Sequence, residues 1–138
     1  MKVRQGFVTN SSSTSFVISL KGDFTRDNFF KALGLKKDFP LANVITSLFK
    51  TIQSRAEDFE EIIPKGKSFE DLTPEWLAET DHCGLEEELD TIKKLLAEKR
   101  KVYFGEFWDD NGDAAEAFLR FSYCSVSTDD LYFETLND

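Results

Sequence analysis

Six consecutive small polar residues, Asn10-Ser11-Ser12-Ser13-Thr14-Ser15, give this 138-residue chain a dense set of hydroxyls near Met1. Hydroxyls and backbone N–H groups so placed can ring a phosphate, with Lys2, Arg4 or Lys21 supplying positive charge. One expectation is therefore an anion site using Arg4, Asn10, Ser11, Ser12 and Ser13. Against it, no glycine lies between Gly6 and Gly22, so the spacing of a phosphate-binding glycine-rich loop is absent. The tract also leads into a strand, and no helix N-terminus then points at the ligand. Serine and threonine shape turns through local side-chain-to-backbone bonds on their own. A structural or partner-read segment is the stronger reading. Phosphorylation of the serines would add charge beside basic residues, a third use of the same segment.

Carboxylates form the second candidate: Glu106, Asp109, Asp110 and Asp113, with Asn111 among them. Oxygen ligands after a strand can bind Mg²⁺ or Ca²⁺ or do acid–base work, and open α/β sheets place ligands at strand C-termini. Asp109 and Asp110 are accordingly the partners expected for the serine loop in a ligand site. An EF-hand does not fit. With Gly112 at the sixth loop position, Phe107 falls on the first and Phe118 on the twelfth, where carboxylates are required. Turn formation and helix capping already account for Asp110, Asn111, Gly112 and Asp113, so no metal is assigned. Asp81-His82-Cys83 holds the one histidine and one of two cysteines. Adjacent side chains project apart, which disfavours a Cys83–His82 nucleophile, and a Cys124–His82 pair would need the fold to join them. One His and two Cys cannot complete the usual zinc sets without carboxylates. No catalytic residue and no cofactor is expected.

The elements that must position these groups follow from periodicity. Phe16-Val17-Ile18-Ser19-Leu20 reads as a buried strand, Val102 to Trp108 as a second, and Leu131 to Leu136 as another. Ser122 to Val126 is a minor candidate. Thr25 caps a short helix carrying Phe29, Phe30 and Leu33, ended by Gly34. After Pro40, the residues Leu41, Val44, Ile45, Leu48, Phe49 and Ile52 make an apolar stripe pressed on the core. Asp58 to Ile63 extends or follows that helix. Thr73-Pro74-Glu75 starts another, Leu85 to Lys99 forms a further one with acids early and bases late, and Ala114 to Arg120 the last. The strand–helix–strand ending suggests a right-handed βαβ crossover. Trp76, Trp108, Tyr103, Tyr132 and the phenylalanines are core by default, with Trp108 the exception to watch.

Gly6-Phe7-Val8-Thr9-Asn10-Ser11-Ser12-Ser13-Thr14-Ser15-Phe16, preceded by Arg4, resembles an N-terminal signature of a functionally uncharacterised family of small bacterial, archaeal and phage proteins. That signature runs Arg-x-Gly-Phe-Val-Ser-Asn, a serine run, then Phe and further apolar residues. Thr9 and Thr14 stand where it has serine. The resemblance spans roughly the N-terminal eighteen residues and implies no catalytic residue.

Composition narrows the class. The net charge of −9 argues against nucleic-acid binding through a basic face. Residues 1–55 nevertheless hold nine Lys/Arg against three Asp/Glu, while residues 56–138 hold eight against 23. Such asymmetry favours head-to-tail self-association or an anionic ligand, or simply reflects solvated helices of different composition. No apolar run is long enough to span a bilayer, and no signal peptide is evident. Free thiols and a cytoplasmic location are expected. Taken together, residues 1–138 are expected to form one α/β domain. Its sheet would be small and partly parallel, with three or four strands under about five helices. The function expected is a non-catalytic interaction or accessory module, with a protein partner or a homo-oligomer and neither nucleic acid nor membrane. The competing expectation is a protein that binds a small phosphorylated compound.

Overall fold

A computed structural model of the chain describes residues 13–79, 85–108 and 114–136. Its sheet contains β1 (Ser13–Leu20), β2 (Glu57–Asp58), β3 (Tyr103–Trp108), β4 (Ser125–Ser127) and β5 (Leu131–Leu136). The strand order is β2-β3-β1-β5-β4, and every neighbouring pair is antiparallel. The α/β class therefore stands, but the partly parallel sheet of three or four strands does not. Two acidic residues, Glu57 and Asp58, carry no strand pattern, yet they pair antiparallel with Phe104 and Tyr103 and add an edge strand beside β3. The expected βαβ crossover is likewise corrected. β3 and β5 run the same way, but β1 lies between them and pairs with both.

Five α-helices appear among the described residues: α1 (Arg26–Ala32), α2 (Ala42–Arg55), α3 (Pro74–Glu79), α4 (Leu89–Ala97) and α5 (Ala114–Phe121). Local chemistry sets several of their ends. The Thr25 side chain accepts from the Asn28 N–H at 3.2 Å, and the Thr73 hydroxyl accepts from the Trp76 N–H at 3.2 Å. The helix expected from Leu85 opens as a 3₁₀ turn, Leu85–Glu88, before α4 proper. Instead of prolonging α2, Phe59–Ile62 forms another 3₁₀ turn after β2.

Alternation along the strands divides the core between the two sheet faces. Phe16, Ile18 and Leu20 join Phe107, Leu131 and Phe133 on one face, beneath Phe29 of α1, Phe49 and Ile52 of α2 and Leu119 of α5. Val17 and Phe104 face the other way, toward Phe59, Leu72, Leu77, Leu85 and the apolar side of α4. The abundant phenylalanines fill the first layer. Phe16 stacks on Phe107 with centroids 4.4 Å apart, and Phe24 stacks on Tyr103 at 4.5 Å. Gly105 admits α2 to this layer: a Cβ there would lie 2.3 Å from the Arg55 carbonyl oxygen and 2.8 Å from the Phe16 ring.

Two expectations about packing change. β1 starts at Ser13, so Ser13, Thr14 and Ser15 belong to the strand and not to a loop before it. Thr14 is buried and its hydroxyl donates to the Arg120 carbonyl at 3.0 Å. The six-position stripe of α2 is also only partly core. Phe49 and Ile52 are buried, whereas Leu41 is 58% and Val44 53% exposed. Leu41 and Val44 lie at the start of α2, and the groove that Val44 lines is walled on the α5 side by Ala114, Ala115 and Phe118.

Candidate functional site

The described end of the serine tract, Ser13–Ser15, lies in β1 beside the end of β3. Ser13 pairs with Trp108 and Ser15 with Glu106 across β1 and β3. Arg4, Asn10, Ser11, Ser12, Asp109 and Asp110, the other residues expected to bind a ligand, lie outside the described residues, as do His82 and Cys83. At this end Ser15, Ser54, Arg55, Glu57, Glu106 and Trp108 line a half-open cleft of about 430 Å³.

The ions of this cleft are arranged to hold the fold. Arg55 donates from Nε to Glu116 Oε2 at 2.8 Å and from its terminal nitrogen to Oε1 at 3.0 Å, a two-pronged pair. Glu116 is almost wholly buried, and its Oε2 also accepts from the Trp108 N–H at 2.7 Å. One carboxylate thus neutralises Arg55 and terminates β3. The other ionisable groups in the lining, Glu57 and Glu106, are both acidic, so the described part of the cleft does not attract an anion. Trp108 is half-buried in it while Phe107 is fully buried. The pair of exposed aromatics that would mark an interface here is not present.

Nucleophilic chemistry gains no support from Cys124. Burial, then the Glu134 carboxylate, pushes its thiol pKa up, the reverse of an activated cysteine. Among the described residues no group of three or more His, Cys, Asp or Glu could hold a metal ion. No helix among them is long and apolar enough to cross a membrane.

A different surface emerged that the periodicity did not single out. Val44, Ser47 and Leu48 of α2 and Ala114, Ala115 and Phe118 of α5 line an open, mainly apolar groove of about 470 Å³. Phe118 is 55% exposed, and Phe121 at the end of α5 is also exposed, with the Arg120 guanidinium 4.9 Å from its ring centroid. The signal available in the sequence lay in α5, where Phe118 and Phe121 fall on a different side of the short helix from the buried Leu119.

No protein-family model, no curated protein and no solved structure matches this chain.

Proposed function

We propose that the protein is a non-catalytic interaction module that receives an acidic amphipathic helix of a partner protein between α2 and α5. The observation that carries this reading is the pair Val44 and Phe118, each more than half exposed, lining one apolar groove with Leu48. Contiguous exposed apolar surface is the mark of a protein-binding site. Two helical walls suit a third helix laid along them, with its contacts at i, i+3, i+4 and i+7. Charge favours an acidic occupant. α2 carries Lys50 and no carboxylate, while its Arg55 and the one acidic residue of α5, Glu116, answer each other. Residues 1–12 belong to the same proposal as a second feature a macromolecule would read. They hold most of the string that resembles the N-terminal signature of the uncharacterised family, and they precede β1.

Panning a library of helical peptides against the protein, with Val44→Asp as counter-selection, should enrich acidic amphipathic sequences. Their affinity should fall at least about tenfold in Phe118→Asp. Enrichment that fails to distinguish the wild type from Val44→Asp would sink the groove reading. Dimerisation lost in Val44→Asp would assign the groove to a second copy instead. Deleting residues 1–12 tests the serine segment by itself, because unchanged capture of the natural partner would remove it from the recognition surface.

A further inference from the structure

We infer that the opposite end of the sheet binds the phosphate group of a small polyhydroxylated molecule through Lys21, Lys99 and Arg100. This site is independent of the α2–α5 groove. Three connections meet there: Lys21–Asp23 after β1, Glu98–Lys101 between α4 and β3, and Thr128–Asp130 between β4 and β5. Hydrogen bonds join them. The Lys21 N–H donates to the Asp130 carbonyl at 2.9 Å, and the Arg100 guanidinium donates to the carbonyls of Ser19 at 3.0 Å and Asp129 at 3.5 Å. Between them opens a cleft of about 520 Å³.

Two features single out its cations. The partners of Arg100 are main-chain carbonyls, its Nε is buried without a hydrogen-bond partner, and no carboxylate of the described residues pairs with it. The guanidinium is therefore oriented but not neutralised. Lys99 is the second feature. It sits at φ 65°, just past the cap of α4, where its N–H donates to the Leu96 carbonyl and the Arg100 N–H to that of Leu95. Glycine is the residue that takes this left-handed position without strain. A lysine kept there is a strained backbone with a charge attached, and such strain concentrates at binding sites. Neither Lys21 nor Lys99 forms an ion pair among the described residues. Lys101, also in the lining, is engaged by Asp58 and Glu60 and is left out of the count.

The mixture of charges defines the ligand. Lys21, Lys99 and Arg100 suit one phosphate dianion. Asp23, Glu98 and Asp129 line the same cleft, and ionised carboxylates only accept hydrogen bonds. They welcome hydroxyls and repel a run of phosphates. A sugar monophosphate meets both demands, whereas a polyphosphate or a nucleic-acid backbone meets only the first.

The test is an amide-resolved NMR titration of the whole chain with glucose 6-phosphate and ribose 5-phosphate, set against inorganic phosphate and glucose. Saturable shifts are expected at Gly22, Lys99–Lys101 and Asp129–Asp130. At least one sugar phosphate should bind about tenfold tighter than inorganic phosphate or glucose. Lys21→Ala and Lys99→Gly should each weaken that binding about fivefold or more. Lys99→Gly relieves the backbone strain, so lost affinity in a variant of higher thermal midpoint cannot be ascribed to unfolding. Val44→Asp should bind sugar phosphate as the wild type does, which separates failure of this site from failure of the groove. Equal affinity for all four probes, shifts that never saturate, or unchanged affinity in Lys99→Gly would each overturn the assignment.

Discussion

Arg55 and Arg100 stand at opposite ends of one sheet and are held in opposite ways. Arg55 meets a buried carboxylate on two prongs, and that carboxylate also takes the terminal amide of β3. Arg100 rests on carbonyl dipoles, beside a lysine in a conformation better suited to glycine. At the first end the Arg55 charge is answered by a buried carboxylate, and removing that carboxylate costs the pair in low dielectric. At the second end the charges are positioned and left open. The comparison teaches that whole-chain charge is a poor guide to ligand sites. A chain of net charge −9 can still gather Lys21, Lys99 and Arg100, none in an ion pair among the described residues, in one cleft beside Asp23, Glu98 and Asp129.

The sharpest way to break this contrast is Gly105→Ala. Its methyl would meet backbone, so the loss should reach about 4 kcal/mol or prevent folding, read by urea denaturation. A change below about 1 kcal/mol would mean that α2 is not seated on β3 as described. Next comes Glu116→Ala, which removes the carboxylate shared by Arg55 and the Trp108 amide. Arg55 keeps about a third of its side chain in solvent, so the expected loss is about 3 kcal/mol, the low end for a broken buried pair. Arg55→Met combined with Glu116→Leu should recover most of it, leaving about 1 kcal/mol for the unanswered amide. No recovery would show that the pair does more than satisfy itself.

At the other end the sign reverses. Lys99→Gly should stabilise the fold by about 1 kcal/mol, seen as a higher thermal midpoint. A loss there would mean that the lysine side chain supports the fold. The smallest effect concerns Tyr132, which pairs with Ser19 near Arg100 and whose hydroxyl donates to Glu88. Burial, then Glu88, raises its pKa from the ordinary 10.0. The folded state then holds the proton more tightly than the unfolded chain. Its contribution is complete below pH 10 and fades as pH climbs through the raised value. Urea midpoints between about pH 9 and pH 11 should fall more steeply for the wild type than for Tyr132→Phe. Parallel slopes would remove Tyr132 from the account.

What was legible in the sequence was local. Leu131–Leu136 is the strand its alternation promised, and Thr25 and Thr73 cap as hydroxyls before helices do. Each of those signals lies within a few residues of the feature it sets. The hidden features join residues far apart. The Arg55–Glu116 bond spans 61 positions and the Ser19–Lys101 bond 82, so no window of pattern could contain them. β2 escaped because Glu57 and Asp58 show no alternation, and the expected strand–helix–strand ending missed β1 lying between β3 and β5. The α2 stripe was read correctly as apolar and wrongly as wholly buried, since whether Val44 is covered depends on the facing side of α5. Of the sites, the pairing of Ser13 with Trp108 and Ser15 with Glu106 needed the register, while the cleft at the other end gathers residues from three separate connections.

β1 has a further consequence for how the protein is made. Both of its neighbours, residues 103–108 and 131–136, emerge from the ribosome long after it. At ordinary rates of synthesis Phe16-Val17-Ile18 must wait on the order of ten seconds with two bare edges. Such late closure between distant segments slows folding and invites strand-to-strand aggregation. The hydroxyl-rich run on one side and Lys21 on the other flank the waiting segment as gatekeepers, keeping it soluble until its partners arrive.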